Sequence, residues 1–395
     1  MRIMLESPIV CDNSSHWARR LAPTCVRTVS LLALVACLGC SSDDDDDPIT
    51  ITSLGEIDPE ERADDLQEAV DDVMDKYDVP GIVAGVWTSA GSWTSATGEG
   101  GDGELGVDDH FGIRSVTKSF VVTVLLQLID EEEAELDDTV DEYVDDVPNG
   151  DEITLADLAG MTSGLYDYTR VPAFRDELIS DTTEEHTTAE LLEFAFEEPV
   201  EFDPGTKYSY SNTNTLVLGE VIEAITGRSL AEELEDRIFD PLDLEDTVYH
   251  ESGSEVPPPA SLGFLVDPDE DPEPIAVAFS AFGASGAMTS NLQDLRRWAT
   301  ALGRGDLLSP AIHGERLDAA RPATNGPKYD DYGLGIGSLD GWWGHTGSGL
   351  GYQAAAFFEP DSGSVIVVEL NTAPRQNAQA ELFQALREVL EKQPD

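Results

Sequence analysis

The sequence predicts an α+β fold in which one sheet is assembled from both ends of the chain around a mostly helical insertion. Three observations carry this prediction. Strand-type runs occur near Ile82 to Thr97 and return between Tyr332 and Leu370. From roughly Glu135 to Pro274, helical patterns alternate with Pro-, Gly- and Asp-rich loops and strand signals are few. Strands and helices therefore do not alternate along the whole chain, which excludes a consecutive βαβ array.

The elements follow in order. Between Arg62 and Tyr77, Leu66, Ala69, Val70 and Val73 recur at helical spacing, and Asp-Val-Pro-Gly (78–81) stops the helix. Ile82 to Thr88 and Ser92 to Thr97 read as two strands joined by a turn at Ala90-Gly91. Ser115 to Asp130 is a long apolar helix. The segment Glu255 to Pro274, with Pro257-Pro258-Pro259, reads as a surface loop. Strands are expected at Tyr332 to Gly337, Tyr352 to Phe358 and Ser364 to Leu370, and a helix from Ala378 to Leu390 closes the chain. The division is a sheet-containing part at 57–134 and 286–393 and a helical part at 135–285 of one unit.

Eighty acidic residues against 22 basic ones give a formal net charge of −58. Such a field repels nucleic acid and anionic membranes, so neither is an expected partner. It also repels itself, which salt relieves, and a salt-rich environment is expected. A hydrophobic content of 41% is ordinary for a globular protein and too low for a multi-span membrane protein.

Residues 1–40 read as a leader. Arg19, Arg20 and Arg27 precede the apolar run Val29 to Leu38, too short to span a bilayer as a stable helix. Leu34-Val35-Ala36-Cys37 resembles a bacterial lipobox, with Cys40 as a second candidate for lipidation. Export and a lipid anchor in the cell envelope are expected, with residues 41–56, including the run Asp43 to Asp47, as an acidic tether. All four cysteines lie in the first forty residues, so the globular part has no internal disulfide and no thiolate metal site.

Three short motifs carry chemistry. In Ser115-Val116-Thr117-Lys118, the i and i+3 side chains share a helix face, so the lysine amine can reach the serine hydroxyl. A serine hydroxyl is a weak nucleophile until a neighbour takes its proton, and lysine can do so when burial lowers its pKa. Tyr210-Ser211-Asn212 offers a phenol that can shuttle a proton and an amide that can hold a carbonyl. The same stretch fits a loop in which an Asn caps a helix from Asn214 to Ile225. His345-Thr346-Gly347-Ser348 precedes the strand at Tyr352, and along a strand edge Thr346 and the Ser348 backbone can face a ligand that Gly347 lets approach. The other histidines (16, 110, 186, 250 and 313) show no metal spacing.

In that order, Ser-x-x-Lys, Tyr-x-Asn and His-Thr-Gly form the triad of motifs of penicillin-recognising serine enzymes. From about Leu66 to Leu390 the chain resembles the class C β-lactamase and D-Ala-D-Ala carboxypeptidase family, in particular its secreted actinomycete carboxypeptidases. Besides the motifs, Ser115 to Gln127, Ser163 to Thr169, Tyr208 to Asn214, Ile238 to Tyr249 and Gly344 to Gly347 carry the likeness. The resemblance implies a β-lactamase/transpeptidase-like architecture, with an antiparallel sheet flanked by terminal helices and a helical domain beside it. It also implies that Ser115 forms an acyl-enzyme while Lys118 and Tyr210 exchange its proton. Asn212 then positions the substrate amide, His345 and Thr346 line the opposite wall, and the Ser115 and Ser348 N–H groups form an oxyanion hole. No metal or organic cofactor is required.

The expected substrate is a small peptide, amide or ester, with D-Ala-D-Ala carboxypeptidase-like cleavage of peptidoglycan stem peptides first. An esterase, a β-lactamase and a non-catalytic peptidoglycan-binding lipoprotein are the alternatives. Two departures from the family weaken the carboxypeptidase expectation. Where the family has Arg-x-Gly before the serine, this chain has Gly112-Ile113-Arg114, and Tyr332 to Gly337 lacks the arginine that can hold a terminal carboxylate.

Overall fold

The computed structural model describes residues 54–101, 103–266, 271–372 and 377–392. The leader with Cys37 and Cys40, and the tether as far as residue 53, lie outside the described residues; the expected tether's last three residues, Leu54–Glu56, form a 3-10 turn. In chain order come α1 (Ala63–Tyr77), β1 (Gly81–Trp87), β2 (Ser92–Gly98), β3 (Phe111–Gly112) and α2 (Thr117–Asp130). The helical part follows with α3 (Leu155–Ala159), α4 (Pro172–Ser180), α5 (Thr188–Phe196), α6 (Thr213–Thr226), α7 (Leu230–Leu234) and α8 (Asp240–Leu242). Short strands β4 (Val248–Tyr249), β5 (Gly263–Leu265), β6 (Glu273–Ile275) and β7 (Met288–Ser290) lead into α9 (Leu292–Arg304) and α10 (Pro310–Asp318). The chain ends with β8 (Arg321–Pro322), β9 (Asp331–Tyr332), β10 (Gly337–Leu339), β11 (Trp342–Gly349), β12 (Tyr352–Phe358), β13 (Val365–Leu370) and α11 (Ala378–Glu391).

Among the described residues eight strands form one sheet in the order β2-β1-β13-β12-β11-β10-β9-β8. Every pairing in it is antiparallel, as the family resemblance implied. The N-terminal hairpin joins the C-terminal strands through β1 and β13, with Ile82 opposite Leu370 and Trp87 opposite Val365.

Both faces of the sheet are covered. Leu66, Val70 and Val73 of α1 pack with Leu382, Phe383 and Leu386 of α11 against Ile82, Ala84 and Val368. On the other face Val83, Ala354 and Ala356 join the core built on α9 and α2, with α6 packed against α2. That is why β1 is buried along its whole length and reads as a continuous apolar run. The polar β2 is an edge strand. Helix α2 is buried nearly all round, which explains its weak amphipathic pattern. Trp298 of α9 stacks on Phe120 of α2 at 3.8 Å and donates its indole N–H to Ser119.

Three expectations are corrected. The strand at Tyr332 to Gly337 is broken into β9 and β10, because Gly335 takes φ 66° in a turn where a Cβ would strike Val122 at 2.4 Å. The segment 255–274 is not only surface loop. Ser261 and Phe264 are buried and β5 pairs with β6. Helix α6 starts at Thr213, and the Asn212 side chain makes no capping bond to it. The long strand β11, Trp342–Gly349, was expected only as a strand edge at Thr346 and Ser348 and not in its full length. No helix among the described residues is long and apolar enough to cross a membrane.

Candidate active site

A single 3-10 turn, Arg114–Val116, delivers Ser115 to the start of α2. From there α2 places Lys118 one turn on, its side chain with no accessible surface. The ammonium donates to the Ser115 hydroxyl at 2.9 Å and to the Ser285 carbonyl oxygen at 2.6 Å. Burial lowers its pKa from 10.5 to about 7, against a smaller upward pull from Asp167. Near neutral pH a large share of Lys118 is thus the free amine, a base held on the serine proton.

Tyr210 closes one side of this pair. Lys118 Nζ lies 5.2 Å from the centre of its ring, and its buried hydroxyl has no hydrogen-bond partner among the described residues. Burial, then the neighbouring Tyr329, push the phenol well above its usual pKa. Tyr210 therefore stays protonated and can relay a proton, leaving Lys118 as the base.

Asn212 does not point into open space. Its amide nitrogen donates to both carboxylate oxygens of Asp167, at 3.2 and 3.0 Å, and to the Thr169 hydroxyl at 3.3 Å. Asp167 also accepts from the Thr169 N–H and hydroxyl at 3.0 and 2.8 Å. This buried carboxylate is the residue that motif reading missed. It lies within the Ser163 to Thr169 stretch that carried the family resemblance, but no spacing ties it to Ser115.

Strand β11 runs along the serine turn. A Cβ on Gly347 would meet the Ile113 carbonyl oxygen at 2.0 Å and the Ser115 nitrogen at 3.2 Å, so only glycine lets the two backbones approach this closely. Thr346 is buried; its N–H donates to the Tyr329 hydroxyl at 2.8 Å, and its own hydroxyl pairs with the same group. Ser348, next along, is exposed.

His345 corrects an expectation. Its imidazole has no accessible surface and sits behind β11, not on an open wall. Nδ1 lies 2.6 Å from the Thr346 carbonyl oxygen, which can only accept, so the proton is on Nδ1 and Nε2 accepts from the Tyr332 hydroxyl at 3.0 Å. Burial, with Lys118 adding to it, depresses the imidazole pKa to about 3, so the ring is neutral at working pH. Its place is to hold Tyr329 and Tyr332 behind the strand.

Two buried arginines complete the surroundings. Arg316 donates to the Leu334 carbonyl at 3.1 Å and the Thr123 hydroxyl at 2.6 Å. Arg114 donates to the Leu350 carbonyl at 2.5 Å and lies over the ring of Phe282. Neither is open to a substrate carboxylate. Among the described residues no cluster of three His, Cys, Asp or Glu could hold a metal ion.

A shared-face serine and lysine, a covering tyrosine and a glycine-bearing strand against the serine turn define a hydrolase class built on an antiparallel sheet. The Beta-lactamase family model matches residues 66–391, and the chain belongs to that family. It is similar to a solved D-stereospecific amidohydrolase from Streptomyces sp., with 30% identity and a TM-score of 0.74 over 82% of this chain and 97% of that one. It is 25% identical over 377 residues to the unguisins hydrolase UngD' of Aspergillus campestris, covering 84% of this chain and 66% of that protein. A D-aminopeptidase of Brucella anthropi is 34% identical over 135 residues, which is 34% of this chain and 25% of that protein. The chain thus spans less than two thirds of the length of these two relatives.

Proposed function

We propose that the chain is a serine amidohydrolase that forms an acyl-enzyme on Ser115 and cleaves small amides or peptides with a D-residue on the acyl side. The observation that carries this reading is the 2.9 Å contact between Ser115 and a lysine whose pKa is lowered to about 7. Lys118 takes the hydroxyl proton as Ser115 Oγ attacks the amide carbonyl. The N–H groups of Ser115 and Ser348 receive the developing oxyanion. The proton passes by Lys118 and Tyr210 to the leaving amine, the C–N bond breaks, and water then hydrolyses the ester by the reverse relay.

The charges around the serine favour an amine-bearing substrate over a free carboxylate. Both arginines are buried to 2% exposure or less, Arg114 holding the Leu350 carbonyl through Nη2 and Arg316 the Leu334 carbonyl. The negative charge of Asp167 lies beside the half-buried Asn212 and raises the Lys118 pKa. An α-ammonium group has a charge-assisted partner there and a terminal carboxylate does not. The names of two relatives, a D-stereospecific amidohydrolase and a D-aminopeptidase, support the same direction. This moves the leading expectation from carboxypeptidase to aminopeptidase or amidase.

The test compares D-alanine p-nitroanilide, its L-enantiomer, its N-acetyl derivative, a D-Ala-D-Ala peptide and a chromogenic cephalosporin, with a fluorescent penicillin to label the nucleophile. Preferential turnover of the free D-amine and labelling lost in Ser115→Ala are expected. Faster turnover of the D-Ala-D-Ala peptide returns the carboxypeptidase reading. No acylation by any probe leaves the non-catalytic binder. For the leader, we propose export with lipidation at Cys37 or Cys40, tested by palmitate incorporation into the cysteine variants.

A further inference from the structure

Arg114 stands between Ile113 and Ser115 at φ 50°, a left-handed conformation that a residue with a side chain adopts only at a cost. Its side chain is buried, and its Nε and Nη1 find no hydrogen-bond acceptor among the described residues. A backbone strain and a buried guanidinium with two donors unsatisfied sit directly before the serine. Both are unfavourable for folding, and a glycine would remove both.

The contacts show what the guanidinium does. Nη2 donates to the carbonyl of Leu350 at 2.5 Å, and Leu350 lies in the two-residue turn between β11 and β12. This bond fastens the end of the strand that carries Gly347 and Ser348 to the residue preceding Ser115. The side chain also runs under that strand, since a Cβ on Gly349 would meet Arg114 Cδ at 3.0 Å. The guanidinium carbon lies 4.4 Å from the ring centre of Phe282 and 5.2 Å from that of Tyr352. Phe282 leads into the turn Gly283–Ser285, whose last carbonyl accepts from Lys118 at 2.6 Å. One planar cation therefore touches the strand turn on one side and the lysine-holding turn on the other.

We infer that Arg114 is a positioning residue that sets the spacing between the Ser115 and Ser348 N–H groups and keeps the Ser285 carbonyl on Lys118. The inference rests on the acyl-enzyme reading above. A cation–π stack and a carbonyl bond from the same guanidinium define two directions at once, which a lysine cannot reproduce. Arg114 remains charged at neutral pH, because burial lowers its pKa only to about 10.

The experiment compares Arg114→Gly, Arg114→Lys and the wild type for kcat and KM across pH, together with melting temperature and stoichiometric labelling of Ser115. Glycine keeps the left-handed backbone and removes only the side chain. Arg114→Gly is expected to fold with an unchanged or higher Tm, to keep KM within about twofold, and to lose kcat by about 10²-fold, the scale of a 1 Å misplacement. Arg114→Lys is expected to recover part of that loss, and it carries the comparison alone if the glycine variant fails to fold. A wild type that is never acylated overturns the reading beneath the inference. An active wild type with kcat retained in both variants overturns the inference alone. Full recovery of kcat at higher pH also overturns it, because Arg114 would then act through the Lys118 pKa and not through spacing.

Discussion

Gly347 passes Ile113 so closely that a methyl group on its Cα would lie 2.0 Å from the Ile113 carbonyl oxygen. The strand and the serine turn touch backbone to backbone there, and nothing flexible can yield. Gly347→Ala is therefore expected to push β11 off the turn, costing about 1–3 kcal/mol of stability and about 10²-fold or more in kcat. Urea denaturation and initial rates on the same preparation check both. Unchanged rates would show that the spacing of the two backbones does not matter to turnover.

The Lys118 amine must be neutral to accept the serine proton. With its pKa lowered to about 7, activity is expected to rise with pH along a limb centred near that value. Stability moves the same way. Between about pH 7 and 10.5 the unfolded lysine binds a proton that the folded one lacks, so this group's destabilisation is full below pH 7 and fades as pH rises. Lys118→Met is expected to abolish turnover and to stabilise the fold most on the acid side. A pH-independent stability difference would contradict the depressed pKa.

Asp167 raises the Lys118 pKa and holds Asn212. Asp167→Asn is expected to move the alkaline-rising limb of the rate profile to lower pH. It should raise KM for a free-amine substrate by about tenfold, the scale of one hydrogen bond to a charged group. The N-acetylated substrate should show no such change in KM. Equal losses on both substrates would remove Asp167 from amine recognition.

Glu369 is a carboxyl buried in β13 with no hydrogen-bond acceptor or donor for either oxygen among the described residues. Burial, with Asp294 adding to it, holds its pKa well above 4.5. The folded state keeps a proton that the unfolded state releases, so this contribution is full below about pH 4.5 and is lost as pH rises towards the folded pKa. Glu369→Met is expected to stabilise the protein by about 1 kcal/mol or more at pH 8 and little at pH 4. Urea midpoints at the two pH values decide it.

With 80 acidic and 22 basic residues, most carboxylates have no cation to pair with. Stability is expected to rise from about 0.1 M to molar KCl as the Debye length shrinks from about 10 Å to about 3 Å. A flat melting temperature across that series would reject a salt-adapted surface.

What the sequence revealed and what it hid divide by distance along the chain. Ser115 and Lys118 were legible because one helical turn places them together. The ends of α1, β1, β2, β12, β13 and α11 were legible from periodicity to within a residue or two. Strand β11 in its full length was not. Trp342-Trp-Gly-His-Thr-Gly-Ser-Gly349 has three glycines and no apolar alternation. Two of them are in the strand because backbones crowd it: a Cβ on Gly344 would meet the Ala356 carbonyl oxygen at 2.0 Å, as one on Gly347 would meet that of Ile113, whereas Gly349 faces the Arg114 side chain. Asp167, Ser285, Tyr329 and Tyr332 reach the site only through tertiary folding, and no local pattern marks them. His345 shows the opposite error. The motif was found, but its imidazole serves the tyrosines behind the strand.

The pairing of Ile82 with Leu370 has a consequence for how the chain is made. An emerging polypeptide has β1 early and must wait for nearly its entire length before β13 arrives to cover that edge. Until then the β1–β2 hairpin presents an open, apolar rim, while the helical middle, whose contacts are nearer in sequence, is free to organise first. Long-range closure of this kind is slow, and the waiting edge is a template for pairing with another chain. The high negative charge gives nascent molecules a reason to keep apart during that wait.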